Sequence, residues 1–367
     1  MNHILKQLDD TPPDVTGRPL RGQRITLREI AQIAQVDIST VSRAINDSPL
    51  LPRETKDMIL AIAEKLNYFP NSLARGLVSQ KSETIGIILP KIFFLQGPFF
   101  SQVLSGIEHA SVKRGYSILI ASATSKTKDK HFPFNLTRAR RIDGMLIVNE
   151  NKNIRNLTAL KQEGVPFVFV NRFTADPQAP CVAPDDEGGG RMATAHLVGL
   201  GHRRIGVITG SPRVSATQGR LDGYRHALAA AGIAFDPALV ERGLFQQGVE
   251  TGRRGAEKLL ALANPPTAIF AFSDELAMGV MQAARARGVR IPEDLAVVGY
   301  DNVAFSAHLS PPLTTVAQNP YVIGTTACEL LVSLLEGRRP PKVNHLIPVR
   351  LVVRESCGSK LKTQVAT

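Results

Sequence analysis

Between Ile38 and Arg43 the sequence sets Ile38, Ser39, Ser42 and Arg43 at spacings that gather them on one face of a short helix. The chemistry open to that face is hydrogen bonding to nucleic acid. An arginine fork can donate twice to the edge of a guanine, and hydroxyls can reach bases or phosphates in a major groove wide enough to admit a helix. An amphipathic helix pair built only to pack would show the same periodicity, so spacing alone leaves both readings open. Bond-making chemistry finds no support. The eight histidines include no HExxH or paired-ligand spacing, and the three cysteines, Cys181, Cys328 and Cys357, show no CxxC. Gly188-Gly-Gly190 lacks the strand-to-helix spacing of a phosphate loop, and no nucleophile motif is present. Neither a catalytic set nor a metal or cofactor is expected. Arg138, Arg140 and Arg141 read as a solvated helix face.

The elements that must carry the polar face are two short helices and a turn. Leu27, Ile30, Ala31 and Ala34 fall at helical spacing, as do Val41, Ala44 and Ile45, with Val36 in the turn between. Ser48, Pro49 and Pro52 break the chain. Met58, Ile59, Ile62, Ala63 and Leu66 then outline a third amphipathic helix. Beyond residue 82 short apolar runs alternate with helical patterns. The runs are Ile85–Leu89, Tyr116–Ala121, Met145–Val148 and Phe167–Val170, then Ile205–Thr209, Ala268–Phe272 and Ala296–Tyr300. Strands apolar throughout are covered on both faces, which predicts parallel sheets flanked by helices over Gln102–Lys113, Arg191–Leu200, Arg220–Ala231, Thr251–Leu262 and Leu276–Ala286. In such α/β units ligands bind at the carboxyl ends of strands. Asn171 and Arg172, which follow a strand, are placed there, and so are Ser273 and Asp301. Asp274 is expected to cap the next helix. Lys126–Phe134, interrupted by Pro133, is expected to be a loop.

The 367 residues exceed one ordinary core. No run reaches the length of a membrane helix, and the first 25 residues hold no signal-peptide-like apolar stretch, which points to a cytoplasmic protein without membrane contact. A net charge of +12 invites nucleic acid as a partner. The surplus nevertheless lies beyond residue 84, so global charge does not locate a DNA site.

Specific wording now joins the periodicity. Thr40-Val-Ser-Arg43, Asn46, Leu66-Asn-Tyr68, Pro70-Asn71 and Leu73-Ala-Arg75-Gly-Leu77 stand in sequence, followed by Ile85-Gly-Ile-Ile-Leu89, Pro98-Phe-Phe100 and Asp143-Gly144. Gly199-Leu-Gly-His202, Arg220-Leu-Asp-Gly-Tyr224, Ser273-Asp274, Val298-Gly-Tyr-Asp301 and Pro311-Pro-Leu-Thr-Thr315 complete the series. In these motifs and their order, nearly the whole chain resembles the lactose repressor (LacI/GalR) family.

The resemblance implies an α/β core of two doubly wound parallel-sheet lobes, similar to periplasmic binding proteins, behind an N-terminal all-α helix-turn-helix domain. Residues 1–24, polar, without periodicity and holding Pro12, Pro13 and Pro19, read as a disordered leader outside the resemblance, which further implies a headpiece over 25–70 and a hinge helix with its linker over 71–82. Lobe one would be 83–183 plus 316–344, lobe two 184–315 plus 345–357, and the tail 358–367. DNA-binding roles pass to Thr26, Ile38, Ser39, Thr40, Ser42, Arg43, Asn46, Asn71, Ala74 and Leu77. Leu77 would wedge into the minor groove at the centre of a palindromic operator, where an apolar wedge costs a few kcal/mol of unstacking and gains a kinked site. Effector-binding roles pass to Phe99, Phe100, Asn171, Arg172, Arg220, Ser273 and Asp301. Phe99 and Phe100 equally suit a core. Arg220 would anchor the effector and Asp301 accept its hydroxyl hydrogen bonds, while Arg172 with Arg220 hints at a sugar acid.

The expected protein is a homodimeric regulator, foremost a repressor, of an operon for carbohydrate or sugar-acid use. Its partners would be double-stranded palindromic operator DNA and a small effector: a sugar, a sugar acid or a related metabolite. A periplasmic-type sugar receptor without DNA binding is the alternative. That receptor would have no use for a helix-turn-helix.

Overall fold

The computed structural model describes residues 25–68, 81–89, 97–122, 134–148, 162, 164–174, 176, 179–212, 214–243, 248–338 and 340–360. The chain divides into two compact units, residues 1–80 and 81–367.

In the first unit, α1 (Leu27–Ala34), α2 (Ile38–Ile45) and α3 (Arg53–Lys65) enclose a small core of Ile30, Ala31, Ala34, Val41, Ala44, Ile59, Ile62 and Ala63. These are residues of the apolar faces seen in the sequence; Leu27, Ile45, Met58 and Leu66 close its rim half-buried. The tight turn between α1 and α2 is made by Gln35, whose φ of 53° lies in the left-handed region. There the Gln35 and Val36 amides return to the Gln32 and Ala31 carbonyls and end α1.

The second unit holds two six-stranded sheets. The first contains β1 (Thr84–Leu89), β2 (Ser117–Ser122), β3 (Gly144–Val148), β4 (Phe167–Val170), β5 (Cys181–Pro184) and, from near the chain end, β11 (Asn344–Ile347), in the order β11-β5-β4-β3-β1-β2. The second contains β6 (Ile205–Thr209), β7 (Val240–Arg242), β8 (Ala268–Ala271), β9 (Ala296–Asp301), β10 (Thr314–Ala317) and β12 (Arg350–Val352), in the order β12-β10-β9-β8-β6-β7. All pairings are parallel except that of β10 with β12. The helices are α4 (Pro98–Lys113), α5 (Phe134–Arg138), α6 (Asp186–Gly199), α7 (Ser215–Ala230), α8 (Gly248–Leu260), α9 (Asp274–Ala286) and α10 (Pro320–Leu335). They cover the sheets in α4/α10, α6/α7 and α8/α9 pairs, apart from the short α5.

The chain passes between the two sheets three times, after Pro184, after Ala317 and after Ile347. The boundaries expected at 183/184, 315/316 and 344/345 therefore cut one to three residues too early, through β5, β10 and β11. Strands of three or four residues that carry Pro184, Thr314 or His345 have too little apolar run to be read from sequence. Every crossing leaves the carboxyl end of a strand, so the carboxyl edges of both sheets meet at the crossings.

The helices begin two to five residues earlier than apolar spacing predicts, at Pro98, Asp186, Ser215, Gly248 and Asp274. Apart from α4, whose first turn carries half-buried Phe99 and Phe100, their first turns hold mainly glycine and polar side chains and so show no apolar period. Gly188-Gly-Gly190 is the clearest case. A methyl group at Gly190 would run into the Arg220 backbone on α7, and one at Gly189 into the Tyr300 hydroxyl, so the run serves close packing. Phe134 is not loop: it starts α5 with its ring in the core. Arg138, Arg140 and Arg141 are exposed, with Arg138 ending α5. The three cysteines are buried and unbridged. Among the described residues no helix is long and apolar enough to cross a membrane, and no group of three or more side chains is arranged to hold a metal.

Candidate functional site

Two sites emerge, one in each unit. On α2 the buried Val41 and Ala44 face the headpiece core, which turns Ile38, Ser39, Arg43 and Asn46 outward as exposed side chains, with Thr40 and Ser42 half-buried beside them. Ile38 is a large apolar side chain left 46% exposed at the first turn. Asn46 ends the helix and donates from Nδ2 to Ser42 Oγ at 3.4 Å. Thr26 stands at the other edge as the residue before α1. Its backbone amide and hydroxyl both donate to Glu29, at 2.6 and 2.9 Å, so its side chain helps to start the helix. Asn71, Ala74 and Leu77 lie outside the described residues.

The second site lies at the carboxyl edges of the core sheets. Arg220, on the inner face of α7, is only 5% exposed. Its Nε donates to Asp186 Oδ1 at 2.8 Å and its Nη1 to the carbonyl of Phe272, the residue just before Ser273. The guanidinium carbon lies 3.6 Å from the Tyr300 ring centroid, a close cation–π stack. Asp301 Oδ1 is 3.9 Å from Nη1 on the Arg220 fork. Burial works against the Arg220 charge, yet Asp186, Tyr300 and Asp301 hold its pKa above the ordinary value.

Asp301 closes β9 with φ at 112°, followed by Asn302 at 54°. Non-glycine residues in this region cost on the order of 1–3 kcal/mol each and persist only where neighbours fix them. Here the neighbours are identifiable. Val303 N donates to Asp274 Oδ2 at 2.8 Å, Thr315 Oγ1 donates to Asp274 Oδ1 at 2.5 Å, and Arg354 Nη2 donates to Asn302 Oδ1 at 2.7 Å. The bend turns the Asp301 carboxylate to Gln318, whose Nε2 donates to it at 2.5 Å from the second crossing. Burial pushes Asp301 up to about 7, against the pull of Arg220 and Gln318. Burial, with the Asp301 charge nearby, pushes Asp274 up to about 8.

Asp274 is thus not the cap of α9. Ser273 is, accepting from Leu276 N at 3.2 Å, while Asp274 reaches back to brace the loop and strand that carry Asp301 and Thr315. In the first lobe, Asn171 follows β4 buried and left-handed at φ 58°, its amide donating to the Val182 carbonyl. Half-buried Arg172 lies over the Phe169 ring, 4.9 Å from its centroid. Phe99 and Phe100 meet edge to face at 5.1 Å in the first turn of α4, half-buried against the lobe's core. The structure therefore joins Arg220 and Asp301, ties Arg220 to the strand end just before Ser273, and sets Asn171, Arg172, Phe99 and Phe100 on the first sheet's side.

Sequence reasoning missed Asp186, Tyr300 and Gln318. Asp186 and Gln318 follow Pro184 and Ala317 at two crossings, and each bonds one member of the Arg220–Asp301 pair. The signal was an acid or amide just past a short apolar run, too faint without knowing that Cys181–Pro184 is a strand.

Comparison with known proteins agrees with this division. The family described as "Bacterial regulatory proteins, lacI family" matches residues 26–71, and a "Periplasmic binding protein-like domain" matches residues 194–357. The ribose operon repressor of Haemophilus influenzae is 33% identical over 91% of this chain and 99% of its own length. The repressor CytR of Escherichia coli is 32% identical over 90% of this chain and 96% of its own. Among solved structures, the lac repressor dimer bound to operator and the anti-inducer ONPF superposes with a TM-score of 0.81 at 28% identity, covering 91% of this chain and 99% of that one. An outward polar helix on a small helical unit, a two-lobed core with its polar cluster at the sheet edges, and similarity to repressors over 91% of the chain converge: the chain belongs to the lacI family of bacterial regulatory proteins.

Proposed function

We propose that the protein is a cytoplasmic, homodimeric repressor that holds a palindromic operator through α2 and is controlled by a small hydroxylated effector in the crevice between the core lobes. The observation that carries this reading is the pairing of an outward polar helix, led by exposed Arg43, with a buried donor and acceptor, Arg220 and Asp301, at the edge where the two sheets meet. Asp301 would accept from ligand hydroxyls. The faces of Phe99 and Phe100 would cover a sugar ring or base, and Asn171 and Ser273 would add polar contacts. Thr26, Thr40, Ser42 and Asn46 would position α2 on the phosphates and bases. Asn71, Ala74 and Leu77 take the minor groove in this reading by family resemblance, so Leu77→Ala should reduce operator bending in a phasing assay.

An effector changes DNA affinity only by binding one lobe arrangement better than another. The crossings at Asp186 and Gln318 would feel that change first, because they bond the two residues that bind ligand. The test is a gel shift on DNA flanking the protein's own gene, with a salt titration and a screen of sugars and nucleosides. A specific fragment whose affinity falls steeply with salt, and shifts with one compound, supports the reading. Arg43→Ala should cost about 1–3 kcal/mol per base contact and relax preference at one position of each half-site. Uniform weakening on all sequences would assign Arg43 to phosphate instead.

A further inference from the structure

An arginine in a ligand crevice ordinarily suggests an anion, because its planar fork matches a carboxylate or phosphate with two parallel hydrogen bonds. Arg220 is only partly available in that way. Its Nε is taken by Asp186 at 2.8 Å, its Nη1 by the Phe272 carbonyl, and one face by the Tyr300 ring. The Asp186 side chain is itself only 13% exposed, so the pair is shielded from solvent and exchanges with it poorly. Around the pair stand further acids. Asp301 lies 3.9 Å from Nη1, Asp274 braces the loop behind it, and burial together with neighbouring charge raises the pKa of both. An incoming carboxylate or phosphate would meet a guanidinium whose charge Asp186 already balances, and would lie against Asp301. An incoming hydroxyl would donate to Asp301 without displacing any of them.

We propose that Asp186 is a specificity-determining residue: by holding the Arg220 charge within the protein, it admits an uncharged hydroxylated ligand to the crevice and excludes carboxylate and phosphate ligands. This rests on the effector-crevice reading above. It also replaces the sugar-acid expectation that the sequence raised from Arg172 and Arg220, since one of those two arginines is already neutralised by its own chain. The acid is placed for this by backbone, not by chance of rotamer. Asp186 opens α6 at the first crossing, and Gly190 one turn later lets α6 approach the Arg220 backbone.

The experiment is a thermal-shift titration of the full chain with inorganic phosphate and with glucuronate, each against sodium chloride at equal ionic strength. Four proteins are compared: the wild type, Asp186→Asn, Asp186→Ser, and the double variant Asp186→Asn/Arg220→Met. The serine variant makes the same charge change should the asparagine variant fail to fold. The double variant removes both charges together, a change that buried ion pairs tolerate far better than loss of one partner. The wild type should show no stabilisation by either anion. The Asp186 variants should bind at least one of them on the order of tenfold more tightly, and the double variant should lose that gain. Wild-type binding as strong as that of the variants, abolished by the double change, overturns the proposal while leaving the crevice reading intact. No gain in either foldable Asp186 variant overturns it equally. A gain that survives in the double variant puts the anion away from Arg220 and overturns the crevice assignment as well.

Discussion

Arg43 and Arg220 are the two arginines on which the proposed function leans, and their surroundings are opposite. Arg43 is exposed on α2, where its fork can wait for DNA in water. Arg220 is 5% exposed, bonded to Asp186 and the Phe272 carbonyl and stacked on Tyr300. A charge in water costs nothing to keep, whereas a buried one must be paired and hydrogen-bonded or it unfolds its surroundings. In the proposed reading Arg43 is therefore almost purely functional, whereas Arg220 is part of the fold as well as of the candidate site.

The strongest way to break that comparison is Arg220→Ala. Were Arg220 only an anchor for the effector, the change would spare folding and remove only the ligand response. With the Asp186 carboxylate left buried without its guanidinium partner and Asp301 keeping only Gln318, it should instead destabilise the core by about 3–5 kcal/mol, read by urea unfolding of the full chain. Arg43→Ala in the same assay should stay within about 0.5 kcal/mol of wild type. Equal losses at both positions would erase the distinction.

Gly190→Ala should cost about 1–3 kcal/mol by overpacking α6 against the Arg220 backbone, again measured by denaturant midpoint. A neutral result would mean that the helices separate freely and that Arg220 is not held by their approach.

The pH dependence sharpens the contrast further. Asp301 and Asp274 have folded pKa values near 7 and 8, above the ordinary 3.8. Folding therefore takes up protons between those limits, and the stability so gained is complete below pH 4 and lost as pH rises through 7 to 8. Core stability should thus fall by on the order of 1 kcal/mol or more between pH 5.5 and 8.5, and Asp274→Asn should flatten the fall. A core that gains stability over that interval would show both acids to be ionised throughout.

The smallest effect belongs to the headpiece. Gln35 holds φ at 53° in the turn between α1 and α2, a conformation that costs a residue with Cβ about 1–2 kcal/mol and glycine almost nothing. After the extra chain entropy of glycine is counted, Gln35→Gly should stabilise the headpiece by about 0.5 kcal/mol. Thermal denaturation of the variant checks the sign.

What the sequence determined by itself were the features carried by local periodicity and wording. The three headpiece helices follow from apolar residues three and four apart, and the long strands from continuous runs such as Ile205–Thr209. Arg220, Asp301 and the α2 face follow from motifs that keep a fixed place on those elements. What only the tertiary structure decided were the short strands β5, β10 and β11, the three crossings they feed, and hence the partners Asp186 and Gln318. A strand of four residues is stable only because neighbours already hold its backbone, so its signal lies in the sheet and not in its own residues. Asp186 and Arg220 are 34 residues apart in the chain and 2.8 Å apart in space. No local pattern encodes that contact; the close approach of α6 and α7 through Gly190 and Gly223 does.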